Sequence, residues 1–180
     1  MAELSPLTHA ELSRRAVKWL INMGCTVAVD EITTTCTPER CDAIGFNGGG
    51  FSIVVEVKCS RSDFQRDKHK GHRNPAIRKG MGTYRYFMAP AGLLKPEELP
   101  DGWGLVEVGG KICRIVKGGK PTYRWNEPYP FENDRQAEIG LLSSLVRRLR
   151  DGEPSAQRIL TQRQNSLTVA ATPQPQGEAK

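Results

Sequence analysis

The run Phe51-Ser52-Ile53-Val54-Val55-Glu56-Val57-Lys58 restricts the fold of this chain more than any other segment. From Ile53 to Val57 it is almost wholly β-branched and apolar, so it reads as a buried central strand rather than a half-solvated one. Glu56 and Lys58 are two apart and share one face of it. Upstream, Cys41-Asp42-Ala43-Ile44-Gly45-Phe46 and the turn Gly48-Gly49-Gly50 complete a hairpin. If the chain turns about Gly48 and Gly49, residues 41 and 42 pair opposite 56 and 55, and Asp42 arrives beside Glu56 at the open end.

Charge at the end of an apolar hairpin is costly. Two carboxylates this close resist joint ionisation unless a cation lies between them, and hard oxygen ligands suit Mg2+ or Mn2+. A partly desolvated lysine two residues on can orient or deprotonate an attacking water, or stabilise negative charge developing on a phosphate. Asp42, Glu56 and Lys58 therefore suit metal-assisted hydrolysis of a phosphodiester. The bland alternative is a salt-bridged pair on an edge strand with Asp42 as a turn residue, because Glu-x-Lys is common by chance. The buried character of the strand favours the chemical reading.

Asp42 followed by Glu56-Val57-Lys58 on the next strand resembles the PD-(D/E)XK nuclease superfamily of restriction enzymes, junction resolvases and repair nucleases. As an order of elements the resemblance covers roughly residues 8–108. Cys41 stands where the family name has proline, a position that varies and holds no metal. The resemblance implies an α/β fold with a restriction-endonuclease-like core, a central mixed β-sheet flanked by helices in the order αβββαβ. It also implies that Asp42, Glu56 and the backbone carbonyl of Val57 hold Mg2+ (or Mn2+), with Lys58 at the attacking water. Such enzymes often add an acid on the helix before the sheet. Glu11 is the candidate here, with Glu31 and Glu39 as rivals. Thr8 and Glu11 equally form a capping box for a helix in which Leu12, Ala16, Trp19 and Leu20 recur, ending near Gly24, and the two roles are compatible. Glu31 follows the strand-like residues 25–29 and could approach the sheet end. The phrases Tyr86-Phe87-Met88-Ala89-Pro90 and Leu99-Pro100-Asp101-Gly102-Trp103-Gly104 resemble a phage and bacterial subset of these nucleases.

Beyond Lys58, Ser60 or Ser62 is the N-cap of a helix with an acidic residue in its first turn. A charge run is usually a solvated face. This one issues from the catalytic strand, where a polyanion's phosphates would need to be held. Arg61, Arg66, Lys68, Lys70, Arg73, Arg78 and Lys79 are therefore expected to contact a DNA backbone. Pro75, Gly80 and Gly82 make residues 74–82 a loop that could follow it.

Residues 84–89 and 104–108 are strand candidates, joined by a short helical turn and connection through Pro96, Pro100 and Asp101-Gly102. Tyr84, Tyr86 and Trp103 could stack on bases, but packing in the core or on a sheet face is the commoner use of such aromatics. Gly109-Gly110 leads into the alternating run 111–117, a hairpin that extends or caps the sheet. Residues 133–150 read as a helix capped by Asn133 with Gln136 and striped by Ile139, Leu142, Leu145, Val146 and Leu149. Arg147, Arg148 and Arg150 load its last turn and Gly152 ends it. The composition then shifts to Gln, Ser, Thr, Ala and Pro. A nuclease-like domain over 1–152 and a disordered polar tail over 153–180 are expected, with a short helical stretch near 157–164.

The net charge of +6 falls largely around the proposed site and favours an anionic partner. Hydrophobic content of 38% with no long apolar run argues against a membrane-spanning helix, and the N-terminus lacks a signal pattern. Five cysteines, odd in number and irregular in spacing, point to a reducing cytoplasm, and the resemblance implies a bacterial or phage-encoded intracellular protein. Cys36 and Cys41 with His9, His69 and His72 have poor spacing for zinc. DNA is the expected partner, and a homodimer is left open. Two further readings are a catalytically silent nucleic-acid-binding module on the same fold, and a protein-interaction factor using the 139–149 helix and the tail.

Overall fold

The computed structural model describes residues 7–31, 39–67, 80–124, 128–154 and 156. The chain divides into two compact units, Met1–Leu141 and Leu142–Lys180, the division falling inside the helix α3 (Arg135–Arg150). The described strands form one six-stranded sheet in chain order: β1 (Val27–Asp30), β2 (Ala43–Phe46), β3 (Ser52–Val57), β4 (Tyr84–Pro90), β5 (Gly104–Gly109) and β6 (Ile112–Lys117). The pairs β3–β4 and β4–β5 are parallel and the other neighbours antiparallel, so the sheet is mixed. Antiparallel neighbours can be joined by hairpins, whereas each parallel step needs a crossover. The first crossover contains α2 (Arg61–Asp67) and the second a 3-10 turn at Pro96–Glu98. With α1 (His9–Asn22) ahead of β1, the element order begins αβββαβ, and β5, β6 and α3 follow.

All six residues of β3 are buried, which explains why its sequence is apolar on both faces. Ile53, Val55 and Val57 join the core beneath α1, where they meet Leu12, Ala16, Val17, Trp19 and Leu20. The alternate residues Val54, Glu56 and Lys58 lie on the opposite face. There Phe87, Ala89 and Leu105 pack with Phe64 of α2 and with Leu94, Leu99 and Trp103. Phe64 meets Phe87 edge-on at 5.3 Å, and Phe87 stacks on Trp103 at 4.5 Å. Complete burial of Phe87 contributes about 1.5–3 kcal/mol. Tyr84, Tyr86 and Trp103 are all buried and serve the core.

Three local expectations are corrected. The β2–β3 register runs Ala43 against Val55, one residue from that of a turn centred between Gly48 and Gly49. The connection is a three-residue loop in which Gly50 N–H donates to Asn47 O at 3.1 Å and Asn47 N–H to Phe51 O at 2.9 Å. Gly50, at φ 94, takes the left-handed position that a side chain resists, and this extra residue shifts the register. The α3 cap is Asp134, whose Oδ1 accepts Ala137 N–H at 2.9 Å, while Asn133 donates to Glu138. Along α3 the buried apolar residues are Ala137, Leu141 and Leu145, and Ile139 and Val146 are 64% exposed. Glu138, drawn inward by Ser52 and Gly82, turns the 137–141 side toward the sheet.

In the second unit, Arg147 pairs with Asp151 at 3.6 Å and Arg148 with Glu153 at 3.8 Å, and Gly152 at φ 72 ends the helix. The helical stretch expected near 157–164, and the expected tail apart from residues 153, 154 and 156, lie outside the described residues. No helix among the described residues is long and apolar enough to cross a membrane.

Candidate active site

Beyond the last β2–β3 pair, Ala43 and Val55, the register brings Asp42 level with Glu56. Val57 N–H donates to Asp42 Oδ2 at 2.7 Å, so a side-chain oxygen stands where a β2 carbonyl would otherwise be. This fixes the carboxylate to the β3 backbone. Its other oxygen, Oδ1, is 3.2 Å from Nε2 of His9, the first residue of α1. Nδ1 of His9 is 3.4 Å from Ser13 Oγ. The order Ser13, His9, Asp42 has the outline of a nucleophilic triad, but Ser13 is completely buried. Its hydroxyl is sealed from any substrate and serves instead to fix the imidazole.

Glu56 and Lys58 are 9% and 4% exposed, and Lys58 Nζ lies 3.7 Å from Glu56 Oε2. Lys58 N–H donates to Met88 O at 2.9 Å, continuing the contact with β4. The pair thus stands at the end of the third strand of six, inside the sheet rather than on its edge. Beside it, Cys41 is buried, and burial followed by the Glu56, Glu39 and Asp42 carboxylates pushes its thiol pKa up. A thiol held protonated in this way is no nucleophile.

The three rival acids part company. Thr8 Oγ1 accepts Glu11 N–H at 3.2 Å, the capping contact expected at the start of α1. The Glu11 carboxylate pairs with Arg15 at 3.0 Å and Arg14 at 3.1 Å, and these partners, Arg15 foremost, lower its pKa. Glu31 is exposed and left-handed at φ 52, and its N–H donates to Asp42 O at 3.1 Å, so the backbone brings it to the site end. Glu39 Oε2 accepts Met81 N–H at 2.6 Å, and Oε1 lies 3.8 Å from Arg85 Nη1.

Among the described residues no group of three His, Cys, Asp or Glu side chains is gathered to hold a metal ion. The donors at the strand ends are oxygens from Asp42 and Glu56, with the Val57 carbonyl adjacent in sequence. That set fits a hard cation such as Mg2+, which keeps several waters and takes one or two carboxylates, better than zinc or calcium.

Of the cations expected to meet DNA, two are described, and both have acidic partners. Arg61 grips Glu98 with both terminal nitrogens, Nη2 donating to Oε1 at 2.5 Å, and Arg66 lies 3.7 Å from Asp63. Ser60 Oγ caps α2 by accepting Asp63 N–H at 3.2 Å. Lys68, Lys70, Arg73, Arg78 and Lys79 lie outside the described residues. A cavity of about 670 Å³ opens elsewhere, against Thr83, Tyr129, Phe131 and Asn133. Two of its polar lining residues are engaged within the fold, Thr83 with Ser52 and Asn133 with Glu138. Sequence reasoning missed the place of His9 beside Asp42. The signal available was its position next to the capping Thr8, but only the packing of α1 on β3 brings that helix start to the sheet end.

No protein-family model matches the chain, and no curated protein does. Among solved structures, a protein of unknown function from Silicibacter pomeroyi is similar, with a TM-score of 0.53 and 23% identity. The likeness covers 85% of this chain and 97% of that one. At that identity it speaks for the α/β fold alone.

Proposed function

We propose that the chain is a Mg2+-dependent DNA endonuclease with a restriction-endonuclease-like core, hydrolysing phosphodiester bonds in DNA repair, recombination or phage DNA processing. The observation that carries this reading is the meeting of Asp42, Glu56 and Lys58 at the open end of a buried hairpin, with Asp42 fixed by the Val57 N–H. The element order αβββαβ supports it.

Asp42, Glu56 and the Val57 carbonyl would hold the cation, which when bound supplies Lewis-acid stabilisation of the charge developing on the phosphate. Lys58, held 3.7 Å from Glu56 in a desolvated position, orients the attacking water or offsets negative charge on the phosphate oxygens. The Val57 N–H and His9 hold the Asp42 carboxylate in one orientation, which reduces the reorganisation left for the reaction step.

The test is cleavage of branched, single-stranded and duplex DNA, with Mg2+, by wild type, Asp42→Ala and Lys58→Ala. Product from wild type and little from either variant is expected. Equal activity in all three proteins sinks the assignment, and salt-sensitive binding without metal-dependent cleavage turns it into the silent binding module.

A further inference from the structure

Glu39 and Arg85 form a second charged pair that the proposed chemistry does not use. Arg85 stands on β4 level with Val54, and strand alternation puts it on the same sheet face as Glu56 and Lys58. It is 8% exposed, and its guanidinium lies over the rings of Phe131, at 5.0 Å, and Trp103, at 5.8 Å. The Glu39 carboxylate reaches two groups at once: Oε1 is 3.8 Å from Arg85 Nη1, and Oε2 accepts Met81 N–H at 2.6 Å. The fit is close. A Cβ added to Gly80 would lie 2.2 Å from Arg85 Nη2 and 2.7 Å from Glu39 Oε2, so the pair fills the space a side chain there would need.

The place of the pair in the chain gives it a consequence. Glu39 stands three residues before Asp42, and Gly80-Met81 join the end of the basic segment to β4. One carboxylate therefore ties the residue leading into the Asp42 end of the site to the residues leaving the segment rich in Arg and Lys. A charge pair in low dielectric, backed by aromatic rings and closed by a backbone N–H, resists displacement more than an exposed pair does.

We propose that Glu39 and Arg85 are positioning residues, which fix the chain ahead of Asp42 so that its carboxylate stays on the Val57 N–H. Their link to catalysis rests on the endonuclease reading, while the positioning itself is measurable without any cleavage. A displacement of about 1 Å at a reacting group can cost about a hundredfold in rate.

The experiment uses the full chain as wild type, Glu39→Ala, Glu39→Gln, Arg85→Met, Arg85→Lys and the Glu39→Ala/Arg85→Met double variant. Amide hydrogen exchange is read at Val57, with Val55 as the reference on the same strand. Glu39→Ala and Arg85→Met are expected to lose protection at Val57 by about tenfold or more while Val55 keeps its own. The double variant loses no more than the worse single, as for residues acting as a unit. Glu39→Gln, whose amide oxygen can still take the Met81 N–H, recovers part of the protection. Unchanged Val57 exchange, or equal loss at Val55 and Val57, overturns the proposal. If Arg85→Met and Glu39→Ala fail to fold, Arg85→Lys and Glu39→Gln decide by the same ratio.

With Mg2+ and duplex DNA the expected change is in kcat, about tenfold to a hundredfold down, with KM near wild type. A raised KM at unchanged kcat overturns the catalytic link, since it would make the pair a substrate contact. A wild type that cleaves none of branched, single-stranded and duplex DNA ends the endonuclease reading and leaves the Val57 exchange result standing by itself.

Discussion

One face of β3 carries a buried carboxylate contact at each end, and the two are built differently. At the Ser52 end, Glu138 is 8% exposed and takes hydrogen bonds from Ser52 Oγ at 2.7 Å, Gly82 N–H at 2.8 Å and Asn133 Nδ2 at 2.6 Å. All three donors are neutral and two are side chains, so the anion is solvated by protein dipoles. Ser52 and Thr83 brace each other alongside, Thr83 Oγ1 donating to Ser52 O at 2.9 Å and Ser52 N–H to Thr83 Oγ1 at 3.1 Å. At the other end Glu56 has the Lys58 ammonium at 3.7 Å, Asp42 level with it and a protonated Cys41 thiol nearby. Here charge is concentrated rather than dispersed. The first arrangement staples β3, β4 and the start of α3. The second leaves charged groups close together at a strand end, the kind of grouping that the proposed reading takes for a reaction site.

Four changes would break or sharpen this contrast. The largest effect is expected from Lys58→Ala or Glu56→Gln, which should lower cleavage by roughly 10²–10⁴-fold, the scale of a positioned acid–base group. Single-turnover rates on the preferred DNA check it, and a loss below tenfold would make the two ends alike. Replacing both partners, Glu56→Leu with Lys58→Met, should leave stability unchanged or raise it by up to about 4 kcal/mol while abolishing cleavage. Urea unfolding tests that sign. Next comes Glu138→Ala, expected to cost about 2–4 kcal/mol by leaving buried donors unpaired. Its Tm should fall by roughly 5–15 °C, with the activity of the folded fraction retained. Gly45→Ala should cost about 1–3 kcal/mol by overpacking, because its Cβ would lie 2.6 Å from Cys25 Sγ and 3.2 Å from Leu20 Cβ.

The smallest effect concerns the start of α1. Arg15 and Arg14 hold the Glu11 carboxylate below the ordinary value of 4.5. A depressed pKa contributes stability that is present above the unfolded value and is lost as pH falls through the folded one. Protection of the first-turn amides of α1, measured against the intrinsic exchange rate at each pH, should therefore fall as the pH drops below 4.5, and Glu11→Gln should remove that dependence. A pH-independent first turn in wild type would show that these ion pairs contribute nothing there.

Much of the fold was legible because its signals are local. The apolar run through β3 marked a strand covered on both faces, Thr8 and Ser60 marked helix starts, and Gly109-Gly110 marked the hairpin into β6. Asp42, Glu56 and Lys58 could be nominated from strand alternation and one turn. The register was one residue out because a Gly at position 48, 49 or 50 can each supply the turn, and only the pairing of the strands selects Gly50 as the left-handed one. On α3 the expected stripe held at Leu145 but not at Ile139 and Val146, because those two fit a 3.6-residue period as well as the buried Ala137 and Leu141 do.

By itself, then, the sequence determined the periods: where the chain extends, where it coils and which residues share a face. The tertiary structure decided the partners of the charges. Arg61 went to Glu98 rather than staying open to a polyanion, Glu39 to Arg85, and His9 to Asp42. The physical reason is that strand and helix periods are set by neighbouring residues along the chain, whereas a charge responds to whatever lies within a few ångströms in space, and those neighbours come from elements dozens of residues apart.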